Sequence, residues 1–505
     1  MNNHLRRVYR LCVQALWILL LVLIPITSFP PLVDRVGGTP VAPLAMVPLA
    51  GILIFWMIPA LVRGRKLPLL ALPFLFFVAI VLLSAAAALT LGILPLRGAS
   101  VLGRELRAVF TLALGVGFYL TATLLPQDDP DLRRALRFIT LGGVLTLLWA
   151  TVQAGVVMTG GEAVPQAFVN LHRLIAPRDL VPDRLTGMAF EPSWLGDQLV
   201  TFYLPLWVGG VLTRTSAWSA SRRGWWVEAL LSVWGMAALL LTRSRISYLS
   251  LAMAVGCLAL FGVWQAAGGI QRRWAARGGL AGRVPSWALK GVMVLLFLSL
   301  SSAALVSAAW AYSRVDPRMV RLFQTYDRLP EVRAHYPNEV AYEVANRVAF
   351  AERVAYWQAG MATFADHPLL GVGLGNAGFF IESNLPGYAF RLTEIKDLRS
   401  GAFAGLPNPK NLWVRLLAET GLMGFAAFLT WWVLTGATAL VLWRQSTGLL
   451  RLLGSAGVLG LIAAVGEGFS LDTFALPHLW ILAGLVARAS ITPEGPSPLA
   501  VGPGD

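Results

Sequence analysis

Twelve stretches of about 20 mainly apolar residues punctuate this 505-residue chain, and each is long enough for a helix across the ~30 Å hydrocarbon core of a bilayer. They fall near 11–29, 41–62, 68–91, 106–125, 136–158, 193–213, 225–242, 246–265, 286–310, 418–443, 451–468 and 473–488. With 57% hydrophobic and 13% charged residues and a mean hydropathy of +0.66, so much apolar surface exceeds what a soluble core can hide. The expected fold is all-α: a polytopic membrane protein of about 12 transmembrane helices, forming one membrane domain over 1–490. The run from Leu11 to Phe29 is too long for a signal-peptide core and ends in Pro30-Pro31 with no small-x-small site, so it is expected to remain as the first span. Residues 491–505, rich in Pro and Gly, read as a disordered tail.

The net charge of +15 invites a nucleic-acid reading, but the arginines gather at the ends of apolar runs, which favours lipid headgroups and anionic ligands and argues against nucleic acid. Cys12 and Cys257 lie inside apolar runs, with no spacing for a disulfide or a metal site. Alternating the spans from a cytoplasmic N-terminus puts 20 of the 41 Lys and Arg in inner segments and nine in short outer ones. Positive charge collects inside, so both termini are expected in the cytoplasm and the polar excursion of about 311–410 outside it. Arginines retained outside then want a reason. Arg243 and Arg245 share a hairpin so short (LLLTRSRISYL) that both sit at the membrane surface, and a two-residue step on a helix lets only one face the bundle. Contact with lipid phosphate is the alternative to a ligand role.

The segment RLTGMAFEPSWLGDQL begins at Arg184 and leads into the sixth span. Pro192 suits the first helical turn and puts Glu191 at the N-cap, where it is either a plain capping acid or a carboxylate tuned by its surroundings into a general base. Asp197 lies deeper, and an intramembrane acid is either functional or paired with another helix. In the long excursion, residues 340–366 have helical character carrying Arg347 and Arg353; Trp357 is four residues after Arg353 and so shares its face. The tract HPLLGVGLGN, from His367 to Asn376, lacks the βαβ setting of a dinucleotide fingerprint and reads as a tight re-entrant turn, with backbone amides available to an anion. Lys410-Asn411 opens the tenth span, where a lysine opposes the helix dipole unless an anion is shared between them.

These pieces together, TRSR (Thr242–Arg245), Arg353 with Trp357 and HPLLGVGLGN, and NLWVRLLAETGLMG, resemble the O-antigen ligase/polymerase superfamily of bacterial membrane glycosyltransferases, over roughly Thr186 to Phe428. The resemblance implies a GT-C-like fold in the bacterial inner membrane and substrate chemistry on the outer leaflet. It also implies an undecaprenyl-pyrophosphate-linked glycan as donor, with no metal and no nucleotide cofactor. By position, the family's diphosphate-binding arginines correspond to Arg245 and Arg353. Lys410 stands where family members usually carry a histidine, which in ligases is the catalytic candidate; a lysine near its ordinary pKa of ~10.4 is a poor base but a good phosphate partner. The Glu-Pro-Ser element at Glu191 is similar to that of O-antigen and exopolysaccharide polymerases. A polymerase is therefore the leading expectation, with Glu191 as base, Arg245, Arg353 and Lys410 on the diphosphate, and Arg184, Arg243, Arg347, Asn411 and Asp197 supporting or meeting glycan. Expected partners are lipid-linked glycans, membrane lipids and a chain-length regulator. An O-antigen ligase and a non-catalytic lipid-linked glycan flippase are the alternatives.

Overall fold

The computed structural model describes residues 3–35, 41–159, 165–181, 183–218, 224–277, 285–313, 345, 350–401 and 405–491. Every one of the twelve apolar stretches is helical. They form α1 (Asn3–Val22), α2 (Met46–Val62), α3 (Ala71–Ala88), α4 (Val101–Leu124), α5 (Asp129–Thr159), α6 (Pro192–Thr213), α7 (Trp226–Thr242), α8 (Arg245–Arg277), α9 (Ser286–Ser313), and, after an intervening helix α10 (Ala351–Asp366), α11 (Leu412–Gln445), α12 (Gly448–Glu467) and α13 (Pro477–Ala489). Among the described residues seven helices are long and apolar enough to cross a membrane: α3, α4, α5, α6, α8, α11 and α12. The others are shorter or more polar; α13, opened by Pro477 at its first turn, has 13 residues. Two expectations shift at their edges: α11 begins at Leu412 rather than 418 because Asn411 caps it, and Arg347 and the tail from 492 lie outside the described residues.

A helix is the economical structure here, because lipid supplies no partner for a bare peptide group. The outward side chains fit that solvent: Phe55, Phe76, Leu230 and Val233 are 62–72% exposed. Inside, α3, α4, α11 and α13 meet on an aromatic cluster in which Phe74 stacks on Trp431 (4.7 Å between centroids) and Trp480 (5.2 Å) and meets Tyr119 edge-on (5.1 Å). Such pairs add about 0.5–1.5 kcal/mol each beyond area burial. The charged ends sort into two populations. Arg65 donates to Leu124 O (2.7 Å), Arg133 to Ser216 O (2.9 Å) and Arg488 to Gln127 O, all at the end that holds both termini of the helical domain. The TRSR turn, Glu191 and residues 350–401 and 405–411 occupy the opposite end, called the loop end below.

At the loop end α11 is broken, and the break positions everything near it. Gly421 has φ 63° and ψ −168° inside the helix, so the amides and carbonyls around it are released from helical pairing. The tract after α10 fills the gap: Val372 N donates to Ala418 O and Gly373 N to Glu419 O (both 3.0 Å), while Leu422 N donates to Pro368 O (2.8 Å). Ser84 Oγ of α3 adds a bond to Glu419 O (2.8 Å). Gly371, at φ +67°, lies so close that a Cβ there would stand 2.5 Å from the Glu419 carbonyl carbon. The re-entrant turn is as expected, but the amides of Val372 and Gly373 are spent on α11 and not offered to an anion.

Candidate functional site

Arg353 rises from the first turn of α10 and reaches across to the turn joining α12 and α13 (residues 468–476). Its Nη1 donates to Ser470 O (3.3 Å) and Lys410 O (3.4 Å). Trp357 does share its face: the indole meets Phe350 edge-on at 5.3 Å and leans on Phe469 at 5.8 Å, walling the guanidinium from the side. Burial pulls the Arg353 pKa down, and four carboxylates push it back, Glu191 first and then Asp472, Glu394 and Glu467. A buried cation ringed by acids from three separate parts of the chain stays charged and is held in one place.

Glu191 has the N-cap position of α6, with φ −150° and ψ 163°, yet its side chain makes no bond to the helix amides. The carboxylate turns outward instead: Oε2 pairs with Arg178 and Oε1 accepts from Ser193 Oγ. Arg178 in turn lies over the Phe190 ring, 5.4 Å from its centroid. Each carboxylate oxygen can accept two hydrogen bonds, so acceptor capacity remains on both. The capping alternative for Glu191 is thereby excluded by its own geometry.

Arg184 Nε donates to Thr242 O (2.9 Å) and, with Leu185 N on Leu241 O (3.0 Å), fastens the segment leading into α6 onto the end of α7. Arg243 occupies the left-handed C-cap of α7 (φ 49°) and is exposed, whereas Arg245, at the start of α8, is half-buried; the turn between two helices, rather than a step along one, sets them apart. Ser244 and Ser247 beside Arg245 press on Gly196, so closely that a Cβ on Gly196 would be 3.2 Å from the Ser244 Cβ. This seats the start of α8 against the first turns of α6, behind Glu191.

Lys410, also left-handed (φ 53°), pairs its Nζ with Glu394 and sits 4.8 Å from the Tyr356 ring centroid; Tyr356 OH donates to the same Glu394 Oε1 at 3.0 Å. Asn411 is consumed by capping, accepting from Trp413 N (2.9 Å) and Val414 N (3.1 Å). Asp197 is paired within the bundle, its Oδ2 lying 2.9 Å from His478 Nε2 of α13. Asp197 and Glu191 are therefore not equivalent acids: one is locked between helices and the other faces the site.

Several site residues had no advance signal strong enough to single them out. Glu467, at the end of α12, is 2% exposed, with Ser247, Ser250, Asp197 and Arg353 around it and no hydrogen bond to either carboxylate oxygen among the described residues. It connects the start of α8 to Arg353. Asp472, five residues on, accepts from Asn408 Nδ2 (3.3 Å), and its backbone O accepts from Arg415. Burial raises the Asp472 pKa, with Arg415 opposing and Glu419 adding to the rise. Two acids flanking GFSL after an apolar run was the available clue.

Residues 230–429 match the family model described as O-antigen ligase. The match runs from within α7 to within α11 and takes in Arg243, Arg245, Arg353, Lys410 and Asn411; the resemblance seen from residue 186 is not extended by it to Glu191. No curated protein matches the chain.

Proposed function

We propose that this membrane protein, whose residues 230–429 match the O-antigen ligase family model and so support a place in the O-antigen ligase/polymerase superfamily, polymerises undecaprenyl-pyrophosphate-linked oligosaccharide units into O-antigen or exopolysaccharide. The loop end faces outward from the bacterial inner membrane, and both termini lie in the cytoplasm. Arg245 and Arg353 bind the donor diphosphate, and Lys410 joins them by exchanging Glu394 for a phosphate oxygen. Glu191 takes the proton of the attacking sugar hydroxyl as the new C–O bond forms and the anomeric C–O bond to the diphosphate breaks, with the electron pair leaving on the diphosphate. Charge grows on that leaving group, and a buried guanidinium stabilises it more than water would. A direct displacement inverts the anomeric carbon. Arg178 and Ser193 hold the carboxylate of Glu191 in register, and Asp197, Arg184 and Asn411 hold the helices that carry the site.

One observation carries this reading: the Glu191 carboxylate leaves the helix amides next to it for Arg178 and Ser193, and lies within electrostatic reach of the buried Arg353, 162 residues away in the chain. The test is incubation of purified protein with an undecaprenyl-pyrophosphate-linked oligosaccharide. A ladder of products lost in Glu191→Gln supports polymerisation; a single large transfer product, formed only when lipid A-core is present, makes the protein a ligase. Transbilayer movement in proteoliposomes with no bond formed makes it a flippase.

A further inference from the structure

A second cationic recess opens across the 468–476 turn from Arg353. It encloses about 280 Å³ between the first turns of α4, Gly375 of the inserted tract, and Arg415 and Glu419 of α11, with Asp472 on its floor. Three guanidinium groups line it: Arg104, Arg107 and Arg415, with both Arg107 and Arg415 near enough to Arg104 to act on its charge. Arg104 is fixed by Nε on Gly375 O (3.0 Å), and Arg415 by Nε on Glu419 Oε2 (2.8 Å) and Nη1 on Asp472 O. Arg415 and Glu419 are 12% and 2% exposed, so this pair is part of the interior. Arg107 is exposed and, among the described residues, makes no hydrogen bond or ion pair.

Three like charges in a recess of low dielectric repel one another, and the two carboxylates offset two of them at most. Among the described residues Asp472 Oδ2 has no hydrogen-bond partner, and the raised pKa of this acid reduces the offset further. Further along α4 from the charges the lining is mainly apolar, Ala108, Phe110 and Leu114 with Thr111 among them, and Met46 adds to it. The recess is therefore cationic at the surface and hydrocarbon-lined toward the membrane. We infer that it is a second binding site for a phosphorylated lipid headgroup, with the phosphate on Arg104, Arg107 and Arg415 and the first carbons of the lipid chain along Ala108 to Leu114. Lying one turn of chain from Arg353, it suits the second of the two lipid-linked substrates that a chain-extending reaction joins. That assignment rests on the polymerase reading, whereas the lipid-phosphate site does not.

Native mass spectrometry of the full chain in detergent, titrated separately with undecaprenyl diphosphate and with phosphatidylglycerol, tests it. The wild type should bind two undecaprenyl diphosphates; Arg104→Gln/Arg107→Gln should weaken one by about tenfold or more, the value of one lost charge-assisted contact, and Arg353→Gln should weaken the other. Because Arg104 anchors Gly375, the exposed-site variant Arg107→Glu serves as the fold-neutral version and should weaken the same lipid. Unchanged binding in both variants overturns the site. Phosphatidylglycerol bound as tightly, and weakened alike by Arg107→Glu, supports a lipid-phosphate site that takes bulk phospholipid. Failure of the ladder assay with Arg107-dependent lipid binding intact removes the polymerase reading and leaves the site standing.

Discussion

Gly371→Ala tests how the site is held together. The backbone there has φ +67°, which costs an alanine about 1 kcal/mol, and the new methyl would stand 2.5 Å from Glu419 C and 2.6 Å from both Ala418 O and Thr420 N. All three are backbone atoms of the α11 break, so no side chain can swing aside. Relief requires the tract to lift, breaking Val372 N to Ala418 O and Gly373 N to Glu419 O at roughly 0.5–1.5 kcal/mol each. The expected loss of docking is about 2–4 kcal/mol, which corresponds to opening of the tract increased by roughly 30-fold to about 10³-fold. Hydrogen exchange followed by mass spectrometry reads this directly in peptides spanning 367–376, with α10 also exchanging faster because its C-terminal anchor is lost. Exchange in the variant within about threefold of wild type would refute the interlock as the device that positions Arg353.

Arg353→Gln should lower polymer-forming turnover by about 10²–10³-fold, the usual cost of one donor aimed at developing charge, while thermal melting of the detergent-solubilised protein changes little. Arg178→Gln should reduce turnover by about tenfold or less, with the change in kcat rather than KM, since Arg178 orients Glu191 and does not replace it. For Asp472, the folded pKa is raised above the ordinary 3.8, so the folded chain binds this proton more tightly than the unfolded one. Its contribution is fully present below the unfolded value and is lost as pH rises through the folded value. Asp472→Asn should therefore lose less melting temperature than wild type as pH rises above the ordinary carboxylate value of 3.8.

The apolar periodicity announced all twelve helices because the bilayer imposes length and composition on each span separately, and no distant residue has to be known. Local chemistry also placed Glu191 at a helix start and set Arg353 and Trp357 on one face. What escaped reading was pairing between distant segments. Arg178 meets Glu191, and Lys410 is matched by Glu394, an acid in a polar stretch that offers no periodicity to rank it. Asp197 and His478 are 281 residues apart and join only because α6 and α13 pack together. Seven helices meet the length and apolarity of a full span; the rest were counted from runs that include polar turns, which the caps at Asn411 and Pro477 trim or extend.

In the proposed reaction Glu191 and Arg353 act on one substrate in one place. A double-mutant cycle on polymer-forming turnover with Glu191→Gln, Arg353→Gln and the double variant measures that most directly. Coupling of at least about 1 kcal/mol, with the double variant little worse than the poorer single one, is the result expected for residues serving one transition state. Effects that simply multiply would separate the acid from the arginine and contradict the account.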